Sequence, residues 1–133
     1  MSALVVDTHT IVWYLAKDAK LSRPAIEALD SATRAGEAIY VPSICLVELT
    51  YLIEKGRLPV DARERLIQSI DDSESPARLA PIDRAVVDAV AHFSRVEVPD
   101  MPDRIIAATA LALRLPLITR DANIHASQVT TIW

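Results

Sequence analysis

The sequence predicts an α/β fold in which helices flank a parallel β-sheet. Short apolar runs rich in β-branched residues recur along the chain, and each is followed by polar or turn-forming residues, a pattern typical of strands buried on both faces. Segments with helical periodicity lie between these runs. Because strands that alternate with helices assemble into parallel sheets, the two observations together predict this architecture.

The apolar runs predict strands at residues 3–6, 39–41, 79–82 and 117–119, and the closing run 129–133 predicts one more. Helical periodicity predicts helices at 8–16, 24–35, 44–55, 62–71, 84–93 and 104–115. The two glycines, Gly36 and Gly56, fit helix ends where the chain changes direction. With so few glycines, the chain cannot form the glycine-rich loops that bind nucleotide phosphates.

The length and composition indicate a single domain that covers residues 1–133. The 133 residues are 51% hydrophobic and 24% charged, which fits a compact globular protein. The longest apolar stretch, residues 105–113, is far shorter than the roughly 20 residues needed to cross a bilayer. The first residues lack the basic start and long apolar run of a secretory leader. We therefore expect a cytoplasmic protein without membrane contact, in which the only cysteine, Cys45, is a buried small hydrophobe.

Two candidate site residues, Asp7 and Asp121, follow predicted strands. Ligands of open parallel sheets bind outside the carboxyl ends of the strands, so these positions favour a shared site. The alternative for a strand-end aspartate is that it only caps the next helix. Asp83, which precedes another predicted helix, is expected to do only that.

Helix patterns identify the other acidic candidates. The residues three and four positions from Glu48 are apolar or aromatic, so its carboxylate lies on an apolar helix face and needs a partner. A salt bridge, a position on a pocket rim or a bound cation would each satisfy it. Asp100 and Asp103 lie where a strongly apolar helix begins. We assign Asp103 to a metal site, whereas Asp100 fits a ligand, a group that supports a ligand, or a helix cap.

Oxygen ligands without clustered cysteine or histidine favour Mg²⁺ or Mn²⁺ over zinc. The histidines His9, His92 and His125 show no ligand spacing. The formal net charge of −4 has the wrong sign for a protein held on nucleic acid by a broad basic surface. Divalent cations in an acidic site would offset this charge locally.

The order and spacing of these residues resemble the PIN-domain family, and most of all its VapC toxins. The resemblance covers almost the whole chain. It is carried by the ordered acids Asp7, Glu48, Asp103 and Asp121, by Asp103-Arg104 at the start of an apolar helix, and by the stretches 47–49, 54–58, 117–121 and 131–133.

This resemblance implies a PIN-like three-layer fold and a Mg²⁺- or Mn²⁺-dependent endoribonuclease that forms a homodimer and is neutralised by a VapB-type antitoxin. It implies that the four acids just named bind the metal and are catalytic. Thr119 matches a hydroxyl residue frequent in the family and is a candidate substrate-binding residue, as are Arg104 and Arg120. Arg104 and Arg120 are candidate contacts to the phosphates of RNA, although surface or helix-end roles fit them equally well.

Two other functions fit parts of the sequence. Asp7 follows a strand and Thr10 lies nearby, as in phosphatases with an aspartyl nucleophile. Against this, position 9 is a histidine rather than a second aspartate, and the three lysines all lie in the first half of the chain. The non-enzymatic alternative is a PIN-like interaction module that binds metal weakly or not at all.

Trp13 and Tyr14 suggest a surface for the antitoxin near the first helices. Adjacent helical residues cannot easily face the same core, so one of the two aromatic side chains is expected at the surface. Packing of both within the domain or at a dimer contact is the alternative.

Overall fold

A five-stranded parallel sheet forms the centre of the computed structural model, which describes residues 3–133. The strands are β1 (Leu4–Val6), β2 (Ile39–Pro42), β3 (Ala77–Ala80), β4 (Leu117–Ile118) and β5 (Thr131–Ile132). They lie in the order β3-β2-β1-β4-β5, and every neighbouring pair is parallel. The strand order reverses between β1 and β4, and a crevice at such a reversal is where ligands of open sheets bind.

Seven helices flank this sheet within residues 3–133. They are α1 (Thr8–Ala16), α2 (Arg23–Arg34), α3 (Ser43–Glu54), α4 (Ala62–Asp71), α5 (Arg84–Val90), α6 (Met101–Leu113) and α7 (Ala122–His125). The predicted α/β class, with a parallel sheet flanked by helices, is confirmed. No helix in this part of the chain combines the length and apolarity that a membrane span requires.

The central strand β1 consists entirely of buried residues, Leu4, Val5 and Val6. Helices cover both faces of a parallel sheet, so a central strand has no solvent face that would favour polar residues. The core continues into the helices through side chains such as Leu49 of α3 and Ile106 of α6, which are almost completely buried. This packing fixes the ends of the strands, where the acidic residues lie.

Polar side chains begin most of the helices. The N-cap residues Asp7, Ser22, Asp83, Asp100 and Asp121 each accept a hydrogen bond from a backbone N–H in the first turn of the following helix. Such caps satisfy donors that have no partner within the helix. The prediction that Asp83 is a helix cap is confirmed.

The two glycines lie just beyond α2 and α3, and both have a φ of 71°. This left-handed conformation is strained for residues with a side chain, so glycine is favoured where a helix ends and the chain turns. The predicted helix ends are confirmed. Cys45 is also completely buried, as expected for a small hydrophobe.

Several predicted boundaries were wrong. Strand β3 is Ala77–Ala80 rather than 79–82, because it pairs with β2 up to Pro42↔Ala80 and Pro81 follows without an N–H to donate. Helix α6 begins at Met101 rather than Arg104, since Asp100 caps it. The short helix α7 was not predicted, because four residues are too few to show helical periodicity.

Candidate active site

An acidic pocket of about 420 Å³ opens beyond the carboxyl ends of β1 and β4. Five carboxylates line it: Asp7, Glu48, Asp100, Asp103 and Asp121. The four acids predicted from the sequence are therefore brought together, although they are spread over more than a hundred residues of chain. The parallel sheet explains this for Asp7 and Asp121, because β1 and β4 end at the same edge, whereas Glu48 and Asp103 are contributed by helices α3 and α6.

Asp7 follows β1 and is held by both carboxylate oxygens. Its Oδ1 accepts a hydrogen bond from the backbone N–H of Thr10 at 3.0 Å, which caps α1. Its Oδ2 accepts one from Thr119 Oγ1 at 2.5 Å, and Thr119 is completely buried. Asp7 is therefore both a helix cap and a pocket residue, and the two roles do not exclude each other.

Asp121 follows β4 and is fixed in a similar way. Its backbone N–H donates to Thr119 Oγ1 at 3.1 Å, and its Oδ1 accepts from the N–H of Ile124 at 2.9 Å, which caps α7. The second oxygen, Oδ2, has no hydrogen bond within residues 3–133. Thr119 thus contacts both Asp7 and Asp121, but it is buried and does not itself line the pocket.

Glu48, Asp100 and Asp103 form the tightest group of carboxylates in the pocket. One oxygen of each lies within 4.8 Å of the others, a spacing that a metal ion could bridge. Glu48 Oε1 accepts a hydrogen bond from Thr8 Oγ1 at 2.5 Å, so α1 and α3 together orient it. Asp100 Oδ2 accepts from the N–H of Asp103 at 3.1 Å at the start of α6.

The close grouping of the carboxylates changes the pKa of Asp103. Partial burial, together with the negative charges of Asp100, Asp121, Glu48 and Asp7, raises the pKa of Asp103 from 3.8 to about 7. Burial disfavours the charged form, and nearby like charges add to the effect. The metal-free pocket therefore favours a neutral Asp103, and a bound cation would favour its ionised form.

Aromatic and cationic side chains also line the pocket. The guanidinium of Arg120 lies 4.8 Å from the centre of the Trp13 ring, a distance that fits a cation–π contact. Trp13 also packs against His9 and Trp133, with ring centres 5.3 and 6.2 Å away respectively. Arg120 is therefore held beside the carboxylates by a ring rather than by an acidic partner.

The family model of the PIN domain matches residues 4–128. The chain belongs to the PIN-domain family. In the crystal structure of VapBC2 from Rickettsia felis bound to a DNA fragment from the promoter, one chain aligns with a TM-score of 0.71 at 16% identity, covering 97% of this chain and 96% of that one. A toxin–antitoxin complex from Klebsiella pneumoniae aligns with a TM-score of 0.64 at 20% identity, covering 98% and 96%.

A curated relative of this PIN domain is Ribonuclease VapC22 of Mycobacterium tuberculosis. The two chains are 24% identical over 136 residues, and the match spans the full length of both. The two solved structures are only 16% and 20% identical to this chain, so their likeness to it shows a shared fold and no more. The carboxylates of the pocket provide the chemical evidence about function.

Arg104, a candidate contact to the phosphates of RNA, does not line the pocket. Its Nη2 donates to the backbone carbonyls of Val90 at 3.2 Å and Phe93 at 2.6 Å, at the end of α5. Its Nε is buried and has no hydrogen-bond partner within residues 3–133. The sequence showed only that an arginine follows Asp103, whereas the packing of α5 against α6 decides where its side chain points.

The sequence alone did not identify several residues that line the acidic pocket. Trp13 lines the pocket and is only 6% exposed, so Tyr14 is the more exposed of the two adjacent aromatic residues. Tyr14 is half-buried and donates to Asp30. Thr8 lines the pocket too, and Asp100, left undecided between several roles, is both a cap and a member of the tight carboxylate group. The spacing of three between Asp100 and Asp103 was the one available signal.

The position of Arg104 predicts a structural role. Arg104→Met should lower the free energy of unfolding by about 2 kcal/mol, because two charge-assisted hydrogen bonds to the carboxyl end of α5 are lost. Urea denaturation measures this change. Arg84→Met is a matched control, since Arg84 is 87% exposed and pairs only with Asp88, and it should change stability by less than about 0.5 kcal/mol. Unchanged stability in Arg104→Met would exclude the structural role.

The raised pKa of Asp103 predicts a pH dependence of stability in EDTA. Its folded-state pKa of about 7 lies above the ordinary 3.8, so its contribution to stability is fully present below about pH 4 and is lost as the pH rises through about 7. The free energy of unfolding of the wild type should therefore fall more steeply over this range than that of Asp103→Asn. Urea denaturation at several pH values measures both slopes, and parallel slopes would contradict the prediction.

Proposed function

We propose that this PIN domain is a Mg²⁺- or Mn²⁺-dependent endoribonuclease and the toxin of a VapBC-type toxin–antitoxin pair. The observation that carries the proposal is the pocket in which Glu48, Asp100 and Asp103 bring oxygens within 4.8 Å of one another, beside Asp7 and Asp121. The name of the curated relative, a VapC ribonuclease, supports it. The proposed catalytic and metal-binding residues are Asp7, Glu48, Asp103 and Asp121, and the grouping of Asp100 with Glu48 and Asp103 adds Asp100 to this set.

The donor set of the pocket fits the proposed metal. All its charged ligands are carboxylates, and hard oxygen ligands suit Mg²⁺ and Mn²⁺. Cys45 is buried and does not line the pocket, and of the histidines only His9 does. In such a site a bound divalent cation lowers the pKa of water and stabilises negative charge on phosphate.

The residues of the chain supply orientation. Thr119 holds Asp7 and Asp121, Thr8 holds Glu48, and the helix caps fix Asp7, Asp100 and Asp121, so the carboxylates are in place before a substrate binds. Preorganised groups of this kind need little rearrangement during reaction. Arg120, held by Trp13, is our candidate contact to a phosphate of the RNA.

The phosphatase alternative gains little from this geometry. Two residues after Asp7, where such a phosphatase would have a second aspartate, His9 lines the pocket. None of the three lysines lines the acidic pocket. The carboxylates of the pocket fit metal-assisted attack by water, without a covalent enzyme intermediate, better than they fit the phosphatase mechanism.

The proposed partners follow from the proposed toxin function. The solved structures similar to this chain include VapBC2 of Rickettsia felis and a toxin–antitoxin complex from Klebsiella pneumoniae, so we infer a VapB-type antitoxin for this chain as well. The homodimer is proposed from the resemblance to VapC toxins. A cytoplasmic location follows from the RNA substrate. The half-buried Tyr14, rather than Trp13, remains a candidate antitoxin contact near the first helices.

Cleavage should require the divalent metal and the pocket carboxylates. The purified protein should cleave RNA with Mg²⁺ or Mn²⁺ and lose this activity in EDTA. Asp7→Asn should reduce cleavage to near background. The fold should persist in this variant, because the substitution removes charge with little change in volume. Gel analysis of a labelled RNA measures cleavage. Asp83→Asn is the matched control, since Asp83 caps α5 through the same hydrogen bond but lies outside the acidic pocket. Undiminished cleavage in EDTA would refute the metal requirement.

Thr119 should act by positioning the carboxylates. Thr119→Val keeps the buried shape but removes the hydrogen bonds to Asp7 and Asp121, so we expect cleavage to fall by roughly 10- to 100-fold, as for other groups that orient metal ligands. Thr119→Ser should restore most of the loss, because it keeps the hydroxyl. The Mg²⁺ concentration at half-maximal activity should rise in the valine variant, a change that a purely structural role would not produce.

A further inference from the structure

A second groove lies directly beside the acidic pocket. It has a volume of about 380 Å³, and Glu48 and Asp100 line both cavities, so the two are neighbours. We name it the Tyr51 groove, after the tyrosine that lines it. Nothing in the catalytic proposal uses its remaining side chains.

Three large side chains that line the Tyr51 groove are exposed to solvent. Tyr51 is 58% exposed, Met101 66% and Val47 51%, and all three line the groove. Contiguous exposed apolar surface usually marks a binding site. An exposed aromatic ring beside a flexible thioether offers a flat surface on which a planar group can stack.

The charges of the groove change sign along its length. Glu48 lies at the end shared with the acidic pocket, Tyr51 follows one turn later on α3, and Lys55 caps the helix seven residues from Glu48, roughly 10 Å along the axis. Arg57 lines the same groove just beyond Gly56. Neither cation makes an ion pair with any residue in the described part of the chain.

We propose that the Tyr51 groove binds the nucleotide next to the scissile phosphate of single-stranded RNA. The base stacks on Tyr51 and Met101, and the following phosphate lies between Lys55 and Arg57. Sites for single-stranded nucleic acid combine these two features, aromatic stacking surfaces and cations along the backbone path. The proposal rests on the proposed ribonuclease function, which it extends by a substrate subsite.

The charge pattern favours RNA over a second protein chain. The buried centres of protein–protein interfaces are enriched in tyrosine, methionine and arginine, but they are depleted of lysine and of carboxylates. The Tyr51 groove instead has unpaired cations at one end and carboxylates at the other. A polynucleotide fits both ends, because one phosphate contacts the cations while the scissile phosphate lies at the metal-binding carboxylates.

Substitutions at Tyr51 test the stacking. Binding is measured by fluorescence anisotropy of a labelled mixed-sequence hexaribonucleotide with Mg²⁺, in the Asp7→Asn background so that the probe stays intact. Tyr51→Ala should raise Kd about tenfold, within the range for one stacked base, and Tyr51→Phe should bind like its parent. In the otherwise wild-type enzyme, Tyr51→Ala should raise KM about tenfold and leave kcat within about twofold.

Substitutions of the cations test the phosphate contact. Lys55→Gln and Arg57→Gln should each weaken binding and reduce the slope of log Kd against log salt concentration by about 0.7, the value for one phosphate contact to a single strand. Arg34→Gln is the matched control. Arg34 is also exposed, but it ends α2 at the opposite edge of the sheet, so the slope should not change.

The outcomes separate this proposal from the ribonuclease function. If the enzyme cleaves RNA and Tyr51→Ala has normal Kd and KM, the proposal that the Tyr51 groove binds RNA is wrong, and the ribonuclease proposal stands. If RNA binds tightly in a way that depends on Tyr51 but the wild type does not cleave it, the RNA-binding proposal for the groove is supported and the ribonuclease proposal is wrong. A Tyr51→Ala protein that loses its dimer in sedimentation or its antitoxin in co-purification, but keeps its RNA affinity, would assign the groove to a protein partner instead.

Discussion

The pairing of β1 with β4 is the constraint on which the site depends. The two strands are parallel, with Val6 opposite Ile118, so the next residues along each chain, Asp7 and Thr119, come side by side at the edge of the sheet. The hydrogen bond between them joins the two strand ends beyond the last backbone pairing. Since the strand order reverses at this pair, no crossover helix covers the crevice, and the pocket stays open.

Helix capping and the acidic pocket use the same carboxylates. Asp7, Asp100 and Asp121 each give one oxygen to the first turn of a helix, which holds the side chain in one orientation. The N-termini of α1, α6 and α7 therefore converge on the pocket, and their partial positive charge offsets some of the repulsion among the acids. The compensation is incomplete at Asp103, whose pKa remains raised to about 7.

The distribution of charge resolves the difficulty posed by the net charge of −4. The carboxylates are concentrated in one pocket, and cations lie beside it: Arg120 against Trp13 on one side, and Lys55 and Arg57 in the Tyr51 groove on the other. A broad basic face is not required when local cations flank an acidic centre that can bind metal. The overall charge therefore says little about whether this surface can accept RNA.

The sequence by itself determined the α/β class, most helices and the identity of the central acids. Buried strands show as unbroken apolar runs, helices show a 3.6-residue period, and an acid such as Glu48 on an apolar face stands out because an isolated buried charge is costly. Only the tertiary structure decided which polar residues meet. It turned Arg104 towards the carbonyls of α5, buried Trp13 beneath Arg120, and joined Asp100 to Glu48. These contacts link residues far apart in the chain, and their geometry depends on how helices pack, which local periodicity does not encode.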